Sequence, residues 1–212
     1  MFKVFRLLLL PGLLLGLTLS STTVAGTLLV VGDSISAAYG IDKEQGWVSL
    51  LAERLDAQCP GWQVKNASVS GETSSGGLAR LPALLERDPP DLVIIELGGN
   101  DGLRGQPPNR MRDNLVRMIE LSHEAGAGVL LFGMKIPPNY GEAYNRLFEQ
   151  AFVDAAEQTG VPLLPFFLDG VAAEEGMMLD DGIHPSAEGQ PVLLENAWGE
   201  LWPKLEASCG SR

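Results

Sequence analysis

The chain has 212 residues, 45% hydrophobic and 20% charged, a balance that suits one globular unit of ordinary size and shows no disorder signature, repeat or linker. Twenty-seven acidic side chains face fifteen basic ones, for a net charge of −12. So acidic a surface argues against nucleic acid or anionic lipid as a partner held by a general electrostatic field.

The first 25 residues differ in kind. Lys3 and Arg6 precede an apolar run over 7–19, and Thr23-Val24-Ala25 supplies small residues where a signal peptidase reads. Basic, apolar, small is the order of a secretory signal peptide, with cleavage expected after Ala25 and a periplasmic or secreted product. The alternative is an uncleaved anchor. The apolar run falls short of the roughly 20 residues that span a bilayer, and Pro11, Gly12 and Gly16 interrupt it. Cleavage leaves a single domain over 26–212 with 13 basic and 27 acidic side chains and no stable membrane anchor.

The elements follow in chain order. Residues 27–31 form a β-branched, apolar run ending in Gly32-Asp33-Ser34, read as a buried strand. Residues 45–57 carry Trp47, Val48, Leu50, Leu51 and Leu55 at helical spacing, with Cys59-Pro60-Gly61 as a stop. A short strand is expected over 62–67. A helix follows over 75–87, with Pro82 against it. Residues 91–97 make a strong strand that runs into Gly98-Gly99. Further on come a helix over 110–124, a strand over 129–132, a helix over 142–158, a short strand over 161–165, and a last helix over 186–205. That last helix has a possible bend at Pro191 and fraying near Pro203.

Alternating strands and helices imply a parallel sheet with helices on both faces, and strands that are apolar throughout suit burial from both sides. With right-handed crossovers, five strands in the order 2-1-3-4-5 are the expected arrangement. Ligands then sit beyond the carboxyl ends of the strands, where the order reverses. Four polar clusters fall there: Gly32-Asp33-Ser34, Ser70-Gly71-Glu72, Gly99-Asn100-Asp101, and Asp181-Gly182-Ile183-His184.

A serine hydroxyl becomes a nucleophile when a base takes its proton, and histidine suits that work. A carboxylate on the other ring nitrogen fixes tautomer and orientation. Ser34, His184 and Asp181 can supply the three parts. Gly182 and Pro185 suit a turn that brings the carboxylate back to the ring, and Asp180 is the competing carboxylate. The oxyanion that forms needs donors. The candidates are the backbone N–H groups of Ser34 and Gly71 and the side chain of Asn100. Each residue also has a plain structural reading: Ser34 could cap a helix, and Asn100 and Asp101 could be turn residues. The weight rests on their joint placement.

Other chemistries lack their signals. There is no G-x-S-x-G elbow, P-loop, dinucleotide fingerprint or C-x-x-C, and His123 and His184 are far apart with no H-E-x-x-H, which argues against a metal site. His123 reads as a surface residue. Glu96, at the end of a strong strand, is expected to be hydrogen-bonded and structural.

Gly32-Asp33-Ser34, Gly71, Gly98-Gly99-Asn100-Asp101 and Asp181-x-x-His184 resemble the four blocks of the SGNH, or GDSL-type, hydrolases. The stretches GLARLPALLER, ELGGNDGLRG, PPNYG, VPLLPFF and DDGIHP are similar to the bacterial periplasmic branch that contains acyl-CoA thioesterases, lysophospholipases and arylesterases. The resemblance spans the chain after residue 25. It implies a flavodoxin-like, three-layer αβα fold, a triad of Ser34, Asp181 and His184, and an oxyanion hole from Ser34, Gly71 and Asn100. It further implies no metal or organic cofactor, and a loop over 102–107 that moves on substrate binding.

The expected substrate is a small acyl ester or thioester. Leu103, Ile136, Pro137, Pro138 and Tyr140, in loops on the site edge, are candidates for its acyl groove. A carbohydrate O-deacetylase of the same fold and a noncatalytic binding module are the competing readings, and a monomer is the expected state. Cys59 and Cys209 follow helices that would share a face and point the same way. An oxidising compartment would allow them to pair, although Cys209 sits in the tail, and both outcomes stay open.

Overall fold

A computed structural model describes residues 26–209. The expected signal peptide, with its cleavage after Ala25, lies outside the described residues. Five parallel strands form one sheet in the order β2-β1-β3-β4-β5: β1 (Gly26–Gly32), β2 (Trp62–Asn66), β3 (Leu92–Glu96), β4 (Gly128–Phe132) and β5 (Leu163–Leu164). The order is the one expected from the strand–helix alternation. Leu28 to Val31 in β1 and all of β3 are buried, as strands covered on both faces must be.

The helices are α1 (Trp47–Gln58), α2 (Ser74–Arg87), α3 (Gly99–Leu103), α4 (Pro108–Glu124), α5 (Glu142–Thr159) and α6 (Gln190–Cys209). On one side α1 packs against α6, and on the other α4 packs against both α2 and α5, which gives three layers. Trp47, Phe132 and Phe167 interlock with ring centroids 5.0–6.1 Å apart, and they join α1 and β4 to the chain after β5. Trp47 and Phe167 meet edge to face, an arrangement that adds to simple burial.

Three expectations are corrected. First, α6 starts at Gln190 rather than 186. Ser186 is engaged elsewhere: its N–H donates to Met177 O at 2.8 Å and its hydroxyl to Gly176 O at 2.7 Å. Pro191 therefore falls in the first turn, where its missing N–H costs nothing, and the helix passes through Pro203 to Cys209. Second, β5 is two residues long, because Pro162 and Pro165 have no N–H for the ladder. Third, Asn100 and Asp101, which could be read as turn residues, lie in the short helix α3. Pro82 is accommodated inside α2.

Cys59 and Cys209 form a disulfide, with Cα atoms 4.9 Å apart. It ties the end of α1 to the end of α6 beside the start of β1, where Gly26 N–H donates to Gly61 O. That is the opposite end of the sheet from Gly32 and the polar clusters. His123 is exposed in the last turn of α4.

Candidate active site

Strand β1 stops at Gly32, directly opposite Glu96 at the end of β3. A Cβ at Gly32 would stand 2.7 Å from Glu96 Oε2 and from the Ser36 side chain, so the close approach requires glycine. Beyond it the chain turns instead of forming a capped helix. Ala37 N–H donates to Asp33 O and Tyr39 N–H to Ser34 O, each at 3.0 Å. The turn presents Ser34 at the carboxyl edge of the sheet.

His184 arrives from the other end of the chain. Its Nε2 is 2.9 Å from Ser34 Oγ, and its Nδ1 is 2.7 Å from Asp181 Oδ2. The second oxygen of Asp181 accepts the N–H groups of Ile183 at 2.9 Å and His184 at 3.0 Å. Of the two competing carboxylates, it is Asp181 that meets the ring. Gly182 sits at φ +65°, a left-handed conformation that lets four residues fold the carboxylate back onto its own histidine. The segment is pinned by Leu179 N–H to His184 O at 2.8 Å and by a bridge between Met178 and Pro185. The hydrogen bond from His184, followed by the two backbone N–H groups, holds the Asp181 carboxyl down at about 2, so it is charged at any ordinary pH. Tyr39, brought back by the same turn as Ser34, lies against the imidazole with ring centroids 4.4 Å apart.

Asn100 lies in α3, next to Asp33. Its Nδ2 donates to Asp33 Oδ2 at 3.1 Å, which leaves one amide hydrogen for another acceptor. Asp33 Oδ1 accepts the Ile35 N–H at 3.0 Å, so one carboxylate fixes both the nucleophile turn and the Asn100 amide. Asp33 is only 2% exposed, and burial pushes its carboxyl up to about 6 against the pull of those two bonds. Behind it Glu96 is fully buried. Its Oε2 accepts the Ser36 hydroxyl at 2.6 Å and the Asp33 N–H at 3.4 Å. Among the described residues its Oε1 has no partner. Burial first, then the Asp33 charge, drives Glu96 well above the usual carboxylate range.

Gly71 follows β2 on a loop held by Val69 N–H to Gly32 O at 3.1 Å and by Arg104 Nη2 to Gly71 O at 2.9 Å. Asp101 clamps α3 onto the start of α2 by accepting Ser74 N–H at 2.8 Å and Ser74 Oγ–H at 2.6 Å. Thus Gly71 and Asn100 are tied through Arg104 and Asp101. Among the described residues, the N–H groups of Ser34 and Gly71 are used by no other acceptor.

A cavity of about 500 Å³ opens beside Ser34 and His184. Leu103, Ile136, Pro137 and Pro138 line it. Tyr140 does not. Its hydroxyl instead donates to Leu103 O at 2.8 Å, and Tyr144 OH donates to Gln106 O at 2.6 Å, so both tyrosines brace the 102–107 loop from outside. Gly71 also stays out of the cavity wall. The wall contains residues that the sequence did not single out, chiefly Phe166, Leu168, Ala173 and Met178 from the irregular stretch between β5 and α6. That stretch has no period to read. Asp33 and Arg104 could have been found only by asking what holds the motif residues in place.

The GDSL-like lipase/acylhydrolase family model matches residues 30–192. The esterase TesA of Pseudomonas aeruginosa is 53% identical over 94% of this chain and all of its own length. The thioesterase 1/protease 1/lysophospholipase L1 of Escherichia coli (strain K12) is 41% identical over 92% of each chain. A crystal structure of TesA superposes with a TM-score of 0.82 at 55% identity, covering 84% of this chain and 98% of that one. On these matches the chain belongs to the GDSL-like lipase/acylhydrolase family, the SGNH hydrolases.

Proposed function

We propose that this protein is an exported esterase and thioesterase that works through an acyl-Ser34 intermediate. The observation that carries the reading is the relay at the mouth of an apolar cavity, Ser34 Oγ to His184 Nε2 at 2.9 Å and His184 Nδ1 to Asp181 Oδ2 at 2.7 Å. Ser34 Oγ attacks the acyl carbonyl as His184 Nε2 takes its proton. The oxyanion is met by the N–H groups of Ser34 and Gly71 and by the free amide hydrogen of Asn100. Asp181, charged and fixed by its backbone bonds, stabilises the imidazolium. His184 then gives the proton to the leaving alcohol or thiol. Water, deprotonated by the same nitrogen, attacks the acyl-serine; the acyl–Oγ bond breaks, His184 returns the proton to Ser34 Oγ, and the acid leaves. No metal or organic cofactor enters any step.

The acyl chain lies against Leu103, Ile136, Pro137 and Pro138. An apolar cavity of this size favours acyl chains over the acetyl groups of a carbohydrate deacetylase, which would call for a polar, open site. The names of the relatives, an esterase and a thioesterase/lysophospholipase, point the same way. The basic–apolar–small pattern before residue 26 supports export, where acyl-CoA is scarce and lysophospholipids and other esters are the available substrates.

The test is a Ser34→Ala variant assayed on p-nitrophenyl hexanoate and a hexanoyl thioester, with fluorophosphonate labelling of the parent. Turnover is expected to fall on the order of 10⁶-fold, and the label to map to Ser34. Undiminished turnover, or label on another residue, overturns the reading.

A further inference from the structure

We infer that Lys135 is a specificity-determining residue that selects substrates carrying a fixed anion. The inference rests on the hydrolase reading above and extends it from the reacting bond to the rest of the substrate. Lys135 belongs to the segment leaving β4, between Met134 and Ile136, which are buried and line the cavity. Lys135 itself is exposed and lines the same cavity, and among the described residues it is the one lysine or arginine in that wall. Its Nζ stands 4.9 Å from the centroid of the Phe166 ring, another wall residue.

Three facts make this more than a solvated charge. The aromatic face holds the ammonium at the cavity without neutralising it. Among the described residues Lys135 takes part in no ion pair. The surrounding wall is largely apolar, from Leu103 and Ile136 to Leu168 and Met178. An ammonium–anion pair gains strength where low-dielectric surfaces replace water. The net charge of −12 sharpens the point, since a chain that repels anions in general has placed a cation where substrate must bind. The anion can come from either side of the scissile ester. One source is a phosphate on the leaving alcohol, and the other is a carboxylate at the far end of the acyl chain.

Two matched pairs of water-soluble esters separate the sources. The first compares 1-hexanoylglycerol 3-phosphate with 1-hexanoylglycerol. The second compares the p-nitrophenyl monoester of adipic acid with p-nitrophenyl hexanoate. The readout is the ratio of kcat/KM, charged over uncharged, within each pair. Lys135→Met is expected to lower the ratio about tenfold in one pair, Lys135→Glu to lower it further, and Lys135→Arg to restore most of it. High salt is expected to shrink the parent's ratio and not that of Lys135→Met. A fall in the first pair places the anion on the leaving group; a fall in the second places it on the acyl chain. Ratios left unmoved by both Met and Glu in both pairs overturn the inference. Failure of the parent to hydrolyse either uncharged ester would instead remove the hydrolase reading beneath it.

Discussion

Two carboxylate sites flank the nucleophile, and they solve opposite problems. In front of Ser34, the Asp181 side chain is 39% exposed, accepts two backbone N–H groups and an imidazole, and is held at about 2. Behind Ser34, Asp33 and Glu96 are buried together, and burial drives both upward, Asp33 to about 6 and Glu96 well above its usual range. The residue types are nearly the same. What differs is how many donors meet each carboxyl and how much water reaches it. The front site keeps a charge where a cationic ring must be stabilised. The back site uses carboxyls as acceptors that fix geometry, and it pays in desolvation. The comparison can be broken by removing the charge in front, the acceptor in the middle, or the titration at the back.

The front site should give the largest effect. Asp181→Asn keeps an oxygen for the Ile183 and His184 N–H groups, so the turn survives and the melting temperature should change little. The amide cannot stabilise an imidazolium, and its NH₂ competes for the wrong tautomer. A fall in kcat of about 10⁴-fold on p-nitrophenyl hexanoate is expected. A loss of less than tenfold would mean that Asp181 is a turn residue and that the front–back distinction has no catalytic content.

Asp33→Asn should come next. The amide oxygen can keep the Ile35 bond, but its NH₂ then faces the NH₂ of Asn100 across the 3.1 Å contact. Asn100 must rotate, and one oxyanion donor is lost. A fall in kcat of about 10²-fold with KM little changed is the expected signature, because that donor acts in the transition state. A raised KM at constant kcat would assign Asp33 to substrate binding instead.

How legible these sites were in the sequence follows from the range of the forces involved. The strands were readable because burial on both faces leaves apolar runs such as Leu92-Val-Ile-Ile95. The meeting of Ser34 and His184 was readable because strand order places the chain ends of β1 and the last loop on one edge. Turn chemistry favours Asp181 over Asp180, and Gly182 at φ +65° makes that turn. The helix α3 was not readable, since five residues reading Gly-Asn-Asp-Gly-Leu look like a turn and are too few to show a 3.6-residue period. Tyr140 shows the limit of a loop position, which does not say which way a ring faces. The partnership of Asp33 with Glu96 depends on strand register at Gly32, which no local pattern encodes. The same holds for Lys135, whose meaning appears only once Phe166 is beside it.

The back site predicts the smallest effect and a distinct one, a pH dependence of stability rather than of rate. A carboxyl raised in the folded state stabilises the fold below its unfolded value and loses that contribution as pH climbs through the folded value. For Asp33 the window runs from about 3.8 to about 6, on the order of 3 kcal/mol, and Glu96 adds a decline of the same sign. Asp181 works in the other direction: its contribution is present above 3.8 and disappears as pH falls toward about 2. Urea unfolding across pH 2 to 8 should therefore show stability declining on both sides of a maximum just below pH 4. Glu96→Gln can still accept the Ser36 and Asp33 hydrogens, but it places an NH₂ where Oε1 had no partner, so its absolute stability should drop. The slope is the discriminating quantity. Above pH 4 the variant should lose less stability per pH unit than the parent, while its acid limb stays parallel to the parent's. An unchanged slope above pH 4 would mean that Glu96 does not titrate differently in the folded protein. The buried pair would then be ordinary acceptors rather than the electrostatic opposite of Asp181.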